Sequence, residues 1–208
     1  MKILKKIIIA IVVLAVIVLA VGFFSPQKVY LERSITINAS PASIYEEMTG
    51  VKALGSWNPW NKIDPNIINT YDGPETGVGS MVIWESDNSD VGNGSQKLVE
   101  LVENEKVRSE MYFEGFDNPN YSDLIITSDG EMSTVKWTFE GDMGNNPLWR
   151  LVGFMMESML GSSYEEGLNN LKNIPKMWFN IHVLMCFYLP ICKQDFYHSL
   201  FLGVVKFH

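Results

Sequence analysis

The side chains best suited to nucleophilic or metal chemistry lie together near the C-terminal end of this 208-residue chain. Both cysteines (Cys186 and Cys192) and all three histidines (His182, His198 and His208) come after residue 180. The residues before them therefore cannot supply a cysteine nucleophile, a Ser-His-Asp triad or a metal site with His or Cys ligands. They also contain no side chain that titrates near neutral pH at its ordinary pKa.

Residues 175–208 differ in composition from the rest of the chain, since they are apolar and aromatic and contain a single acidic residue. His182, Cys186, Cys192 and His198 could hold zinc, but their spacing fits no usual zinc module. A Cys186–Cys192 disulfide and a second membrane-associated segment are further alternatives. We interpret residues 175–208 as an atypical tail, produced by a frame shift or a poorly defined terminus, that adds nothing to function.

The pattern of acidic residues does not single out a catalytic carboxylate. The pairs at 46–47 and 165–166 are adjacent, and adjacent side chains on a helix do not face each other, so we interpret them as solvated surface. A buried carboxylate of raised pKa, or a tyrosine such as Tyr112 or Tyr121, stays open as a general acid or base. We therefore name no catalytic residue.

Cofactor, metal and nucleic-acid sites are not indicated either. The segment 77–79 is too short for a dinucleotide fingerprint, and the acidic turn 87–94 lacks the spacing of a calcium loop. Residues 27–174 carry ten Lys or Arg against 23 Asp or Glu, a net charge of −13. Because affinity for phosphates comes from cationic side chains, this charge argues against nucleic acid as a partner. We predict no cofactor and no metal.

An uninterrupted apolar run of eighteen residues covers 7–24 and follows Lys2, Lys5 and Lys6. As a helix the run would be about 27 Å long, close to the ~30 Å thickness of the hydrocarbon core. The positive-inside rule then predicts a single-pass anchor, residues 1–26, with a cytoplasmic N-terminus and an extracytoplasmic domain. A cleaved signal peptide is the alternative, with residues 18–20 as a weak cleavage site.

Residues 27–174 are predicted to form one α+β domain. The segment 28–37 alternates between apolar and polar residues like a half-buried strand, and a short helix follows with Ser40 as N-cap and Pro41 at its first position. Residues 51–77 are predicted to be irregular. Short connections then imply an antiparallel ladder of strands, at 78–86, 95–103, 105–114, 121–128 and 132–140.

A long final helix is predicted from about residue 147 to residue 172. Its apolar residues recur at helical spacing on one face, first at Leu148, Val152, Met155 and Met159. The stripe then drifts to Leu160, Tyr164, Leu168 and Leu171. We expect this stripe to face the sheet. Three glycines nearby either permit close packing on a curved sheet or are merely tolerated in a helix, namely Gly153, Gly161 and Gly167.

Four segments carry a family resemblance: VYLERSITINASPASIYEEM at the start of the domain, Trp57-Asn58-Pro59-Trp60, TVKWTFEGDM and MLGSSYEEGLNNLK. In these segments, within residues 28–173, the chain resembles the START-like helix-grip superfamily (SRPBCC), in particular its bacterial polyketide cyclase/dehydrase and lipid-transport group. The resemblance implies a curved antiparallel sheet wrapped around a long C-terminal helix. It also implies an elongated apolar cavity between them, which binds apolar or amphipathic ligands.

We expect large apolar side chains on the inward strand faces and the long helix to line this cavity, namely Trp84, Met111, Phe113, Trp137, Phe139, Met155 and Met159. Core packing is the alternative for each of them. Trp57 and Trp60 are expected to form a rim or lid over the cavity mouth, or alternatively a plug under a long loop. Arg33, the one charge on an apolar strand face, is expected to pair with a carboxylate of the domain, or alternatively with an anionic ligand.

Taken together, these interpretations favour a membrane-anchored domain that binds a lipid or other hydrophobic small molecule and performs no covalent chemistry. Two alternatives stay open. One is an enzyme of the cyclase/dehydratase type that uses a buried carboxylate or tyrosine. The other is a structural or partner-binding envelope domain, which a filled core without a pocket would favour.

Overall fold

The structure is a computed structural model, and it describes residues 2–116, 118–130 and 132–188. Helix α1 (Lys2–Phe24) comes first and is followed by strand β1 (Lys28–Ile37). Three short helices come next: α2 (Pro41–Glu46), α3 (Val51–Trp57) and α4 (Trp60–Ile63). The remaining elements are β2 (Ile68–Asp72), β3 (Met81–Glu85), β4 (Gly94–Val102), β5 (Lys106–Phe113), β6 (Asn120–Asp129), β7 (Met132–Asp142) and α5 (Pro147–Tyr188).

The seven strands form one antiparallel sheet in the order β1-β7-β6-β5-β4-β3-β2. Strands β2 to β7 pair with their neighbours in the chain, as short connections predict. The first strand instead pairs with the last along its whole length, from Lys28 opposite Asp142 to Ile37 opposite Ser133. The predicted α+β fold, an antiparallel sheet with a long C-terminal helix, is confirmed.

Local sequence signals account for several of these elements. The Ser40 side chain accepts a hydrogen bond from the backbone N–H of Ser43, and Pro41 opens α2, as predicted. Residues 51–77, which we predicted to be irregular, contain α3, α4 and the edge strand β2. That strand is almost entirely exposed, so its sequence lacks the apolar alternation from which a half-buried strand is recognised.

Glycines set the distance between α5 and the sheet. A Cβ atom on Gly153 would lie 2.7 Å from Cγ2 of Val29, and one on Gly167 would lie 2.7 Å from Cζ3 of Trp137. A Cβ on Gly161 would likewise lie 2.6 Å from Nη2 of Arg33. These separations are shorter than van der Waals contact, so the helix backbone comes closer to the sheet than a larger residue would allow. The close-packing role of these glycines is confirmed.

The first part of the apolar stripe on α5 does not face the sheet, so our prediction is wrong there, whereas Tyr164, Leu168 and Leu171 of its second part are buried as predicted. Met155 and Met159 are each 56% exposed, and Leu148 is exposed as well. The face toward the sheet carries the glycines together with buried Tyr164 and Leu168. Since the sheet approaches α5 so closely, small residues mark the packed side, and Leu148, Met155 and Met159 lie on the opposite side of the helix.

Among the residues that the structure describes, α1 is the one helix long and apolar enough to cross a membrane. Its 23 residues span about 34 Å, and nearly all of its side chains are exposed. The last turn of α1 contacts the start of α5. Gly22 is buried against Pro147, and Nη1 of Arg150 donates a hydrogen bond of 2.8 Å to the carbonyl oxygen of Phe23.

Helix α5 runs to Tyr188, beyond residue 172 where we predicted its end. It therefore includes part of the segment 175–208 that we interpreted as a tail. The zinc and disulfide alternatives both require residues after 188, and these lie outside the described part of the chain.

Candidate functional site

A cavity of about 200 Å³ lies between the sheet, helices α3 and α4, and the middle of α5. Seven of the nine predicted site residues line it, namely Trp57, Trp60, Trp84, Met111, Phe113, Trp137 and Phe139. Met155 and Met159 do not, because they lie on the outward face of α5. In their place, α5 contributes Leu160 and Tyr164 to the lining.

Strand alternation brings the cavity residues of the sheet together. Met111 and Phe113 are two residues apart on β5, as are Trp137 and Phe139 on β7. Residues two apart in a strand point to the same side, so each strand presents both of its residues to the cavity. Trp84 extends the lining to β3 and contacts Phe113 edge to face, with ring centroids 5.8 Å apart.

An aromatic cluster forms the wall where helices and sheet meet. The rings of Trp137 and Tyr164 are stacked with centroids 4.0 Å apart, and Trp57 contacts Trp137 edge to face at 5.2 Å. Trp57 is buried, and its Nε1 donates a hydrogen bond of 3.0 Å to the carbonyl oxygen of Glu47. Trp60 is half-buried beside Trp137 and Tyr164. Trp57 is thus a packed part of the wall, and Trp60 is its more exposed neighbour.

Small polar side chains interrupt the apolar lining, and our sequence analysis did not select them. Ser122 accepts a hydrogen bond of 2.8 Å from Nε1 of Trp137 and donates one to the carbonyl oxygen of Thr138. Ser109 accepts a hydrogen bond of 2.9 Å from Nε2 of Gln96. The sequence does contain a pattern that indicates them. Ser109 lies two residues before Met111 on β5, and Ser122 lies two residues before Leu124 on β6, so both serines point to the same side as an apolar lining residue.

Tyr164 is the buried tyrosine of the cavity. Its hydroxyl is hydrogen-bonded to Ser122, and burial raises the pKa of this hydroxyl well above its usual range. At neutral pH the group therefore stays protonated. Tyr112 and Tyr121, which we had considered as acids or bases, lie on the outer face of the sheet, where the Tyr121 hydroxyl donates to Glu110 at 3.3 Å.

One buried oxygen in the cavity lining has no hydrogen-bond partner among the described residues. It is Oδ1 of Asn58, in the link between α3 and α4. Leaving a buried polar atom without a partner costs roughly 1–3 kcal/mol. A donor on a bound molecule would offset that cost.

Arg33 lies outside the cavity and forms ion pairs with two carboxylates of α5. Its Nε is 2.9 Å from Oε1 of Glu165, and its Nη2 is 3.5 Å from Oε1 of Glu157. The predicted pairing of Arg33 with a carboxylate of the domain is confirmed.

Replacing Arg33 with methionine is expected to change the free energy of unfolding by less than about 1 kcal/mol. Both partner carboxylates are mostly exposed, so water screens the pairs, and methionine preserves much of the apolar stem. Urea unfolding of the full chain in detergent micelles, followed by circular dichroism, measures this change. A loss above about 2 kcal/mol would instead show that the ion pairs are essential to the fold.

The outer face of the sheet carries a second cluster of polar groups. Oδ2 of Asp123 is 2.9 Å from Nη1 of Arg108, whose guanidinium lies over the ring of Tyr121. Oδ1 of Asp123 is buried and has no partner in the described part of the chain. Burial raises the pKa of the Asp123 carboxyl above its ordinary value, and Arg108 counteracts this effect only in part.

We expect Asp123→Asn to alter how stability depends on pH. Because the folded-state pKa of Asp123 is raised, the folded chain binds this proton more tightly than the unfolded chain. Its contribution to stability therefore falls as pH rises from about 4 through the raised pKa. The free energy of unfolding of the variant should improve relative to the parent across that window, in urea titrations at a series of pH values. A relative change of the opposite sign would mean that Arg108 outweighs burial.

Comparison with known proteins identifies a matching family model and solved structures with a similar fold. A family model described as "Polyketide cyclase / dehydrase and lipid transport" matches residues 28–174. A solution structure from Thermobifida fusca is similar with a TM-score of 0.51 and 22% identity, covering 69% of this chain and 90% of that one. A norcoclaurine synthase from Thalictrum flavum, in complex with dopamine and hydroxybenzaldehyde, is similar with a TM-score of 0.56 and 10% identity, covering 75% and 91%.

A comparison with curated proteins gave no significant match. At these identities, the similarity to solved structures shows the fold alone.

Proposed function

The chain belongs to the polyketide cyclase/dehydrase and lipid transport family, and from this we propose that residues 27–174 bind a lipid or other hydrophobic small molecule in the cavity. The observation that carries the proposal is the cavity itself, about 200 Å³ of space lined mainly by aromatic and aliphatic side chains. Sites of this kind, with a few polar groups among apolar ones, are typical of small-molecule binding. An apolar cavity of roughly 150 Å³ is already large enough for benzene.

The polar groups of the cavity favour a ligand with one polar end. The Ser109 hydroxyl accepts a hydrogen bond from Gln96, so its own proton is available to a ligand oxygen. Oδ1 of Asn58 can accept a hydrogen bond from a ligand N–H or O–H. An amphipathic molecule would meet both needs while its apolar part contacts the aromatic wall.

The chemistry of the lining supports binding without a covalent step. Among the described lining residues there is no Lys, Arg, His, Cys or Glu, and the one acid is Asp90, which is exposed on the link between β3 and β4. The Tyr164 hydroxyl stays protonated and is held by Ser122, so it is not a base at neutral pH. A cyclase- or dehydratase-type enzyme would need a proton acceptor enclosed in the cavity, whereas Asp90 is exposed.

Native mass spectrometry of the full chain, released from detergent micelles, tests the proposal. We expect a stoichiometric adduct whose mass differs from that of the detergent, and organic extraction would then identify its chemical class. A chain that carries no adduct and takes up none from added phospholipid would contradict it. An extract that contains a product in place of the added molecule would favour the enzyme.

We further propose that α1 is an uncleaved membrane anchor, with Lys2, Lys5 and Lys6 on the cytoplasmic side and the domain on the other. The apolarity and length of α1 support this proposal, and the flanking lysines support the orientation. A signal sequence near the N-terminus has the same features.

The anchor proposal predicts that the chain purified from membranes retains residues 2–24. Its intact mass should therefore include the entire apolar segment, and the chain should resist extraction from membranes by alkaline carbonate. A mature chain that begins just after Ala20 would show instead that the segment is a signal peptide.

A further inference from the structure

The first half of α5 exposes a row of large apolar side chains that the packing of the domain does not use. Leu148, Met155 and Met159 are each more than half exposed, and Phe154 is 79% exposed. Leu148, Met155 and Met159 follow helical spacing, so they lie along one side of the helix over a length of about 16 Å. Contiguous apolar surface of this kind usually marks a contact with a partner or a membrane.

This row begins at the place where α1 ends. Gly22 is buried against Pro147, the first residue of α5, and Arg150 donates a hydrogen bond to the carbonyl oxygen of Phe23. Phe23 and Phe24 are themselves strongly exposed. Exposed apolar surface therefore continues from the last turn of α1 onto the outward side of α5.

The short link between α1 and β1 keeps the domain close to the end of α1. Three residues, 25–27, link α1 to β1, and even a fully extended link of that length reaches only about 10 Å. If α1 spans a bilayer, the start of α5 lies at the surface where α1 leaves it.

We propose that the α5 face, defined by Leu148, Met155 and Met159, contacts this bilayer surface and inserts its side chains at the boundary between headgroups and acyl chains. The proposal rests on the proposed anchoring by α1. A lipid surface is the occupant because the anchor holds the α5 face beside it, and apolar helix faces partition into that boundary. The contact does not require anionic lipid, which the acidic domain would repel.

Docking by the α5 face would also orient the cavity. Strand pairing places Lys28 and Asp142 at one end of the sheet, and Gly94 lies at the same end. The connection between β3 and β4 precedes Gly94, and its Val91 lines the cavity. Since β1 begins at this end, directly after α1, the cavity extends toward the end of the sheet at which α1 leaves the bilayer. A lipid of that bilayer is then the nearest source of a ligand.

Photocrosslinking of the full chain in phosphatidylcholine vesicles tests the contact. The vesicles contain phosphatidylcholine with a diazirine on one acyl chain, and mass spectrometry of peptides after illumination locates the lipid adducts. We expect adducts on α1 and on the peptide that carries Met155 and Met159. The double variant Met155→Glu/Met159→Glu should lower the adducts on α5 roughly fivefold or more and leave those on α1 unchanged. Both methionines are exposed, so the fold should tolerate the change.

Val102→Glu is the matched control, because Val102 is exposed at the opposite end of the sheet and should not alter the labelling. Adducts on α1 without adducts on α5 would overturn the inference while leaving the anchor intact. An absence of adducts from α1 would refute the anchor, and the inference with it. Crosslinks that join the α5 faces of two chains would assign this face to a second copy and also overturn the proposal.

Discussion

Replacing Met111 with tryptophan is expected to weaken ligand binding about tenfold, which corresponds to 1.4 kcal/mol, and so to lower the fraction of chains that carry a ligand. Met111 is buried on β5 and its side chain borders the cavity. The larger indole would occupy part of the 200 Å³ that a ligand needs, and it would do so without introducing charge. Native mass spectrometry of the variant and the parent, purified in parallel, measures the two fractions.

Met132→Trp is the control for this experiment. Met132 is exposed at the start of β7, away from the cavity, so the same substitution there should leave the bound fraction unchanged. Equal thermal unfolding temperatures for parent and variant, both freed of ligand, would show that Met111→Trp acts through the cavity volume. A parent-like bound fraction in the folded Met111→Trp variant would place the ligand elsewhere.

Trp57→Ala is expected to reduce the free energy of unfolding by about 3–5 kcal/mol. Trp57, the last residue of α3, is buried and contacts the ring of Trp137 on the sheet. The substitution removes this large apolar contact, leaves a cavity and deletes the hydrogen bond to the carbonyl oxygen of Glu47. Urea unfolding of the full chain in detergent micelles, followed by circular dichroism, measures the loss.

Two further substitutions separate the causes. Trp57→Phe keeps a ring but loses the N–H donor, so it should cost roughly 1 kcal/mol for the hydrogen bond and somewhat more for the smaller ring. Trp149→Ala removes a tryptophan that is only half-buried, on the first turns of α5, and should cost less than half as much as Trp57→Ala. A loss under about 1 kcal/mol for Trp57→Ala would show that α3 does not unfold together with the sheet.

Sequence patterns predicted the fold well where local chemistry determines structure. The cap at Ser40 and the alternation around Met111 each follow from a few neighbouring residues. The edge strand β2 was not predicted, because it is exposed on both sides and its sequence shows no apolar alternation.

The direction of the α5 stripe illustrates what a pattern cannot provide. Helical spacing shows that Leu148, Met155 and Met159 share a side, but it does not show which side meets the sheet. The side that meets the sheet depends on how closely the sheet approaches the helix. Gly153 and Gly161 indicate the closely packed side. The apolar residues of the cavity were predictable from strand alternation. The same alternation places Ser109 and Ser122 inward, but their hydrogen-bond partners could not be predicted, because a partner such as Trp137 lies on another strand.

The pairing of β1 with β7 also determines when this domain can fold as it is synthesised. β1 is synthesised first and β7 last, so β1 can pair with β7 only after all the other strands have been synthesised. Hairpins such as β4–β5 form between neighbours and are fast, whereas closing so long a loop is slow. Until Asp142 has emerged, β1 remains an unpaired strand beside the anchored α1. Throughout that interval the nascent chain presents an open strand edge, which another chain can join before its own last strand arrives.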